Sequence, residues 1–141
     1  MKKKSIITII ILFASIIVYN CFIPTNIALP DYNETVINIT KREPSGDTTI
    51  ELTEQEKKEL YSILKDIKSI YMPNIIAGYS AHGRTSYEIS IYSKTKGDDY
   101  RFFVLFDYDN QPLASVRNNL KDSYRKIIND DNLVDFLKTM K

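Results

Sequence analysis

The single histidine of this chain, His82, limits the catalytic chemistry available to it. Nucleophilic hydrolysis of the Ser-His-Asp kind needs a histidine base that an acid holds in place. Ser80 and Thr85 lie close to His82 along the chain, but closeness in sequence does not make a triad. We therefore interpret His82 as an exposed histidine of a polar loop, and we predict no catalytic residues and no enzymatic activity.

Metal and cofactor sites are also poorly supported. Zinc sites usually need several Cys or His ligands, and the chain has one of each, Cys21 and His82. Calcium accepts oxygen ligands alone, but neither 107–110 nor 129–131 has the glycine and distal glutamate of an EF-hand loop. Residues 129–131 are better explained as a helix N-terminus, where negative charge is favourable. No glycine-rich phosphate loop occurs, so we predict no metal and no cofactor.

The chain contains ten tyrosines and no tryptophan. Exposed tyrosines can form a surface that binds sugars or proteins, although most of these are better explained as half-buried sheet residues with a solvated hydroxyl. The residues that we select as a candidate binding surface are Tyr79, His82, Arg84 and Tyr92. They predict contact with a protein or with a cell-wall partner.

The first 23 residues predict a membrane anchor. Three lysines at 2–4 precede an apolar run from 6 to 23, and about 18 residues at about 1.5 Å each approach the thickness of a bilayer core. A cleaved signal peptide would need small residues at −3 and −1, which no suitable position offers. Because positive flanks stay in the cytoplasm, we predict a single-pass protein, N-in and C-out, with a secreted or lipid-anchored form as the alternative.

Cys21, the only cysteine, lies where a bacterial lipoprotein would carry its lipidated cysteine. Lipobox sequences want a small residue immediately before that cysteine, and Asn20 stands there. An unmodified thiol is therefore the preferred interpretation, with lipidation of Cys21 as the alternative. A single cysteine also allows no intramolecular disulfide, so the domain depends on packing.

Charge and length define the part that follows the anchor. The chain has 19 Lys and Arg and 18 Asp and Glu, so without the three anchor lysines the remainder has a formal charge of −2. A nucleic-acid-binding domain usually shows a basic excess, so we predict no nucleic-acid partner. The length suits one core. We assign residues 1–23 to the anchor, 24–34 to a juxtamembrane stalk and 35–141 to one extracytoplasmic domain.

Local patterns predict the elements of that domain. Thr53 and Glu56 form a capping box that starts an amphipathic helix ending before Pro73. A long loop follows. The alternation and turn residues predict strands at 35–40, 48–52, 87–92, 100–109 and 113–117, a short edge strand at 124–128, and a last helix from 129 or 130 to 140. We predict an α+β fold, with an N-terminal transmembrane helix followed by a small antiparallel sheet that carries two helices on one face.

Three stretches, 27–31, the capped helix from Thr53, and 124–137, resemble a group of uncharacterised exported domains of Gram-positive bacteria. Members are small and are tethered by a lipidated cysteine or by an N-terminal helix. The resemblance spans most of residues 27–141 and rests on structural residues. It implies a fold and a location, and it carries no catalytic positions.

We expect a membrane-anchored, extracytoplasmic binding or interaction module of unknown ligand, without enzymatic activity. A small immunity or inhibitor protein that captures a toxin or hydrolase at the outer face of the membrane is one alternative. An enzyme that acts on cell-wall polymers through two carboxylates is the least supported, because any domain with 18 acidic residues contains carboxylate pairs by chance.

Overall fold

A computed structural model describes residues 2–71, 85–95, 99–106, 112–118 and 123–140. In this part of the chain, three α-helices accompany one sheet of eight strands. The elements are α1 (Lys2–Phe22), β1 (Thr25–Asn26), a 3-10 turn (Tyr32–Glu34), β2 (Thr35–Glu43), β3 (Gly46–Ile50), α2 (Glu54–Lys65), β4 (Lys68–Tyr71), β5 (Ser86–Ser93), β6 (Asp99–Phe106), β7 (Pro112–Asn118), β8 (Ser123–Ile127) and α3 (Asp131–Thr139).

The N-terminal segment is a helix, but the prediction that it spans a membrane is wrong. Among the described residues, no helix combines the length and the hydrophobicity needed to cross a bilayer. Lysines occupy the first turn of α1, and Thr8 and Ser15 interrupt the apolar run.

The eight strands form one sheet in the order β1-β4-β8-β7-β6-β5-β2-β3, and every neighbouring pair is antiparallel. The sheet has two strands more than the sequence predicts. Residues 25–26 form β1 within the predicted stalk, and residues 68–71 form β4 where the helical pattern was expected to continue. The helix α2 ends at Lys65, and β4 pairs with β1 on one side and β8 on the other. Pairing on both sides of β4 outweighs the helical spacing of Ile67 and Ile70.

The core lies between one face of the sheet and the helices α2 and α3. Ile39, Ile89, Phe102 and Val116 lie opposite one another across β2, β5, β6 and β7, and all four side chains are buried. The helices cover this row with Leu60, Leu64, Leu133 and Leu137, which have no exposed surface. Each fully buried side chain of this size contributes about 1.5–3 kcal/mol by leaving water, so this layer holds the domain together.

Local signals fix where β2, β3 and α2 begin and end. Pro44 and Ser45 form a two-residue turn between the paired residues Glu43 and Gly46, and Gly46 has a φ of +139°, which an L side chain rarely adopts. The predicted capping box is confirmed, because the Thr53 hydroxyl accepts a hydrogen bond from the Glu56 N–H and the Glu56 carboxylate accepts one from the Thr53 N–H. The hairpin and the helix start are therefore both set by short-range contacts.

Candidate functional site

The structure describes only part of the predicted site. Tyr79, His82 and Arg84 lie outside the described residues. Cys21 lies in the last turn of α1, and the surroundings of its side chain also lie outside the described part. Tyr92 lies on β5, and its side chain is 40% exposed. These residues stay predictions, and Tyr92 alone can be placed among its neighbours.

Tyr92 lies on the sheet face opposite the helices, where an ion cluster joins three strands. Glu88 of β5 is only 7% exposed. Its carboxylate pairs with Nη2 of Arg42 from β2 and, at 3.5 Å, with Nη1 of Arg101 from β6. Asp99 lies 3.6 Å from Nε of Arg101. The cluster thus matches each arginine with an acidic side chain, and we interpret it as a brace between strands.

A groove of about 710 Å³ lies at the edge of β2, where β3 has ended and the chain turns into α2. We call it the β2 groove. Its lining comes from the 3-10 turn, the first half of β2, the end of β3, the first turn of α2 and the residue after β5. The lining residues are Tyr32, Asn33, Thr35, Val36, Ile37, Asn38, Thr49, Ile50, Glu51, Leu52, Glu54, Lys57 and Lys94.

The backbone of β2 has an unpaired position in this groove. The Lys94 N–H donates to the Glu34 carbonyl at 2.8 Å, which directs the peptide groups of Glu34 and every second residue after it towards β5. Ile37 must then direct its N–H and C=O to the other side. There the last pair with β3 is Ile39 with Ile50. Within the described residues, the Ile37 N–H and C=O have no hydrogen-bond partner.

The side chains around this edge are held in place. Lys57 Nζ donates to Glu54 Oε1 at 2.7 Å, and the Tyr32 hydroxyl donates to Glu54 Oε2 at 3.3 Å. The Lys57 ammonium lowers the pKa of Glu54, while partial burial and then the Glu54 charge raise the pKa of Tyr32. The Tyr32 ring stands edge-on to Tyr61 with centroids 5.3 Å apart, and the Tyr61 hydroxyl donates to the Pro30 carbonyl at 2.7 Å. The wall of the groove is therefore preformed.

A second groove, of about 490 Å³, lies between α2 and α3. Its charged lining residues are Glu56, Glu59 and Asp135, and Ile63 and Phe136 supply apolar surface. The backbone on both sides is helical and is already hydrogen-bonded within each helix. This second groove offers side chains alone to a ligand, whereas the β2 groove also offers an unpaired peptide group.

The β2 groove is not predicted from the sequence, because the candidate residues there are selected by the chemistry of their side chains. A usable signal was nevertheless present. The two-residue turn pairs Glu43 with Gly46, which fixes the register of the hairpin. The capping box then ends β3 before Thr53. Counting back from the turn, the first residues of β2 must lack partners on the β3 side.

Within the described residues, no group of three or more His, Cys, Asp and Glu side chains is placed to hold a metal ion. Comparisons with family models, with curated proteins and with solved structures gave no match. The geometry of the chain itself therefore supplies the basis for a functional proposal.

Proposed function

We propose that this protein is a non-enzymatic binding module that takes its partner into the β2 groove. The observation that carries the proposal is the N–H and C=O of Ile37, which have no hydrogen-bond partner among the described residues and lie at the edge of a preformed groove of about 710 Å³. A peptide N–H and C=O without protein partners can exchange water for ligand atoms at little cost. Binding chemistry is thus available there without any change in the fold.

The ionisable side chains of the groove also favour binding over catalysis. Glu54 accepts hydrogen bonds from Lys57 and Tyr32, and its pKa is lowered by the lysine. A carboxylate held in this way is a weak proton acceptor, whereas a catalytic base needs a pKa near the working pH. Among the described residues that line this groove there is no histidine and no cysteine.

We further propose that the module works outside the cytoplasm, with a protein or cell-wall partner. The N-terminal lysines followed by apolar residues are the feature that supports export. Protease added to intact cells after removal of the wall tests this location. Loss of the region 31–141 is the expected result, and full protection of that region would contradict it.

Site-specific photo-crosslinking tests the groove itself. A photo-reactive amino acid replaces Asn33, whose exposed side chain lines the β2 groove, in the full-length protein in intact cells. Asn132 is the matched control, because it is an exposed asparagine that lines the other groove. We expect one dominant adduct from position 33 and none from position 132. Equal labelling from both positions, or no adduct from position 33, would overturn the proposal.

The chemical nature of the adduct then separates the candidate functions. A toxin or hydrolase as the dominant partner defines an inhibitor or immunity protein. Another protein defines an interaction module, and a carbohydrate adduct defines a module that binds the wall. Each outcome retains the β2 groove as the binding site.

A further inference from the structure

We infer that the occupant of the β2 groove is an extended polypeptide segment that adds to the free edge of β2 as a further strand. This inference rests on the proposed function and specifies the class of its partner. Strand addition uses main-chain hydrogen bonds for affinity and pockets for alternate side chains for selectivity. The groove offers both features.

The main-chain groups define where the segment would pair. The Ile37 N–H and C=O both lie on the free side of β2, and so does the Thr35 C=O, since Thr35 lies two residues away in the same strand. The Thr35 N–H already donates to the Tyr32 carbonyl in the 3-10 turn. Three backbone hydrogen bonds are therefore available to an incoming strand, two at Ile37 and one at Thr35.

The chain path explains why this edge is free. Continuing the register of β2 and β3 beyond Ile39 and Ile50 would place Leu52 opposite Ile37. The chain instead leaves the sheet after Ile50, because Thr53 caps α2. β3 therefore does not continue alongside Ile37, and the β2 groove lies where its next residues would have been.

The side chains of the groove favour an occupant with alternating character. Tyr32 and Leu52, both partly buried against the core, provide apolar surface on one side of the edge. Of the charged lining, Glu54 and Lys57 pair with each other. Lys94 and Glu51 carry opposite charges that have no ion-pair partner in the described part of the chain. Because these charges balance, we expect peptide binding to depend only weakly on salt.

An amide-resolved binding experiment tests the inference. Full-length protein is screened against eight-residue peptides in which apolar and polar residues alternate. The strongest binders are then remade in two forms, with a methyl group on one or the other of two adjacent central backbone nitrogens. Because successive peptide groups of a strand face opposite sides, one of the two forms loses a donor that pairs with β2, and the affinity change of that form is the readout. We expect at least a tenfold loss of affinity on methylation, and less than a threefold change in affinity between 50 mM and 500 mM salt.

Hydrogen exchange supplies the second readout. Saturating peptide should slow exchange of the Ile37 amide at least tenfold. The Asn38 amide is the internal control, because its position in β2 directs it towards β5, and its exchange should stay unchanged. Asn33→Trp, which fills the groove, should weaken binding at least tenfold, whereas Asn132→Trp should leave binding unchanged.

Four results would overturn the inference. Peptides could bind equally well after methylation, or the Ile37 amide could keep its exchange rate at saturation. Protection of Ile37 that rises with protein concentration in the absence of peptide would make a second copy of the chain the occupant. If peptides fail but position 33 still crosslinks one partner in cells, strand addition fails and the proposed function stands. If that crosslink fails as well, both fail.

Discussion

The two faces of the sheet hold the same strands together by different physical means. The helix-covered face carries a row of buried apolar side chains across β2, β5 and β6, namely Ile39, Ile89 and Phe102. On the opposite face, Glu88 of β5 pairs with Arg42 of β2 and Arg101 of β6. Burial acts without direction and resists salt, whereas ion pairs depend on geometry and are screened by salt.

This difference explains why neither face is the preferred binding site. The covered face has no free surface between α2 and the strands at this row, and the ion cluster on the opposite face pairs both of its arginines with acidic side chains. Backbone groups without a partner in the described part of the chain lie instead at the edge between the two faces, at Ile37, where β3 has ended. The β2 groove therefore results from the path of the chain, and four predictions test the contrast between the faces that flank it.

The largest expected effect comes from the covered face. Phe102→Ala removes a side chain with no exposed surface from the centre of the core row and should lower the free energy of unfolding by about 3–5 kcal/mol. Phe103→Ala is the matched control, because the next residue of β6 points to the other face and is only half-buried. We expect a loss of about 1 kcal/mol there. Chemical denaturation measures both, and equal losses would contradict the assignment of the core to one face.

The opposite face should respond less to mutation. Glu88→Gln removes the charge that Arg42 and Arg101 share. Because the two arginine side chains are 49% and 45% exposed, water replaces much of the lost interaction, and we expect a cost of about 1–2 kcal/mol. Denaturation at low and high salt measures the effect, and 1 M salt should reduce it.

Asp47→Asn is the control for this cluster. Asp47 lies 3.8 Å from Nε of Arg42, and its side chain is 61% exposed. We expect a change within about 0.5 kcal/mol. If Asp47→Asn lowered the free energy of unfolding as much as Glu88→Gln does, the burial of a carboxylate within the cluster would not determine how much it stabilises the fold.

Helix α2 covers the core face, and its first turn gives the third prediction. Thr53→Ala removes the hydroxyl that accepts from the Glu56 N–H and should cost about 1 kcal/mol in the free energy of unfolding. Thr53→Ser keeps the hydroxyl and should retain most of the stability. Thermal denaturation compares the two variants. If Thr53→Ser lost as much as Thr53→Ala, the cap would not be the cause.

The sequence predicted the elements whose signals are local. The capping box at Thr53, the last helix and the alternation in β5 and β6 are read from neighbours a few residues apart. The strand β4 was missed because residues 68–71 continue a helical spacing, and pairing with two strands that are distant in sequence, β1 and β8, makes them a strand. The prediction that α1 spans a membrane was wrong, since no helix among the described residues combines the length and the hydrophobicity needed to cross a bilayer.

The candidate site was less predictable for a related reason. Tyr92 was chosen for its side chain, and the ion cluster around Glu88 depends on three strands meeting in register. Ile37 reads as a core residue in the sequence, and its side chain is indeed buried. Its proposed binding role comes from its backbone, and the availability of that backbone for hydrogen bonding depends on where the neighbouring strand ends. Patterns of side-chain chemistry do not carry that information.

The smallest expected effect is a pH dependence at the start of α2. The Thr53 hydroxyl and then the Thr53 N–H hydrogen-bond to the Glu56 carboxylate, and both lower its pKa below the ordinary value of 4.5. A carboxyl group with a lowered folded-state pKa stabilises the fold fully above its unfolded pKa, and this stabilisation is lost as the pH falls through the folded pKa. Stability should therefore decline as the pH is lowered from about 4.5.

Matched glutamine variants separate this group from general acid unfolding. Glu56→Gln should flatten the decline below pH 4.5, because a neutral side chain cannot be protonated there. Glu59→Gln changes another glutamate of the same helix, which has no hydrogen-bond partner in the described part of the chain, and should follow the parent curve. Urea denaturation between pH 3 and pH 6 measures all three proteins. If the free energy of unfolding of both variants fell with pH at the same rate, protonation of Glu56 would not be the cause of the decline. The capping box would then not make the stability of α2 depend on pH.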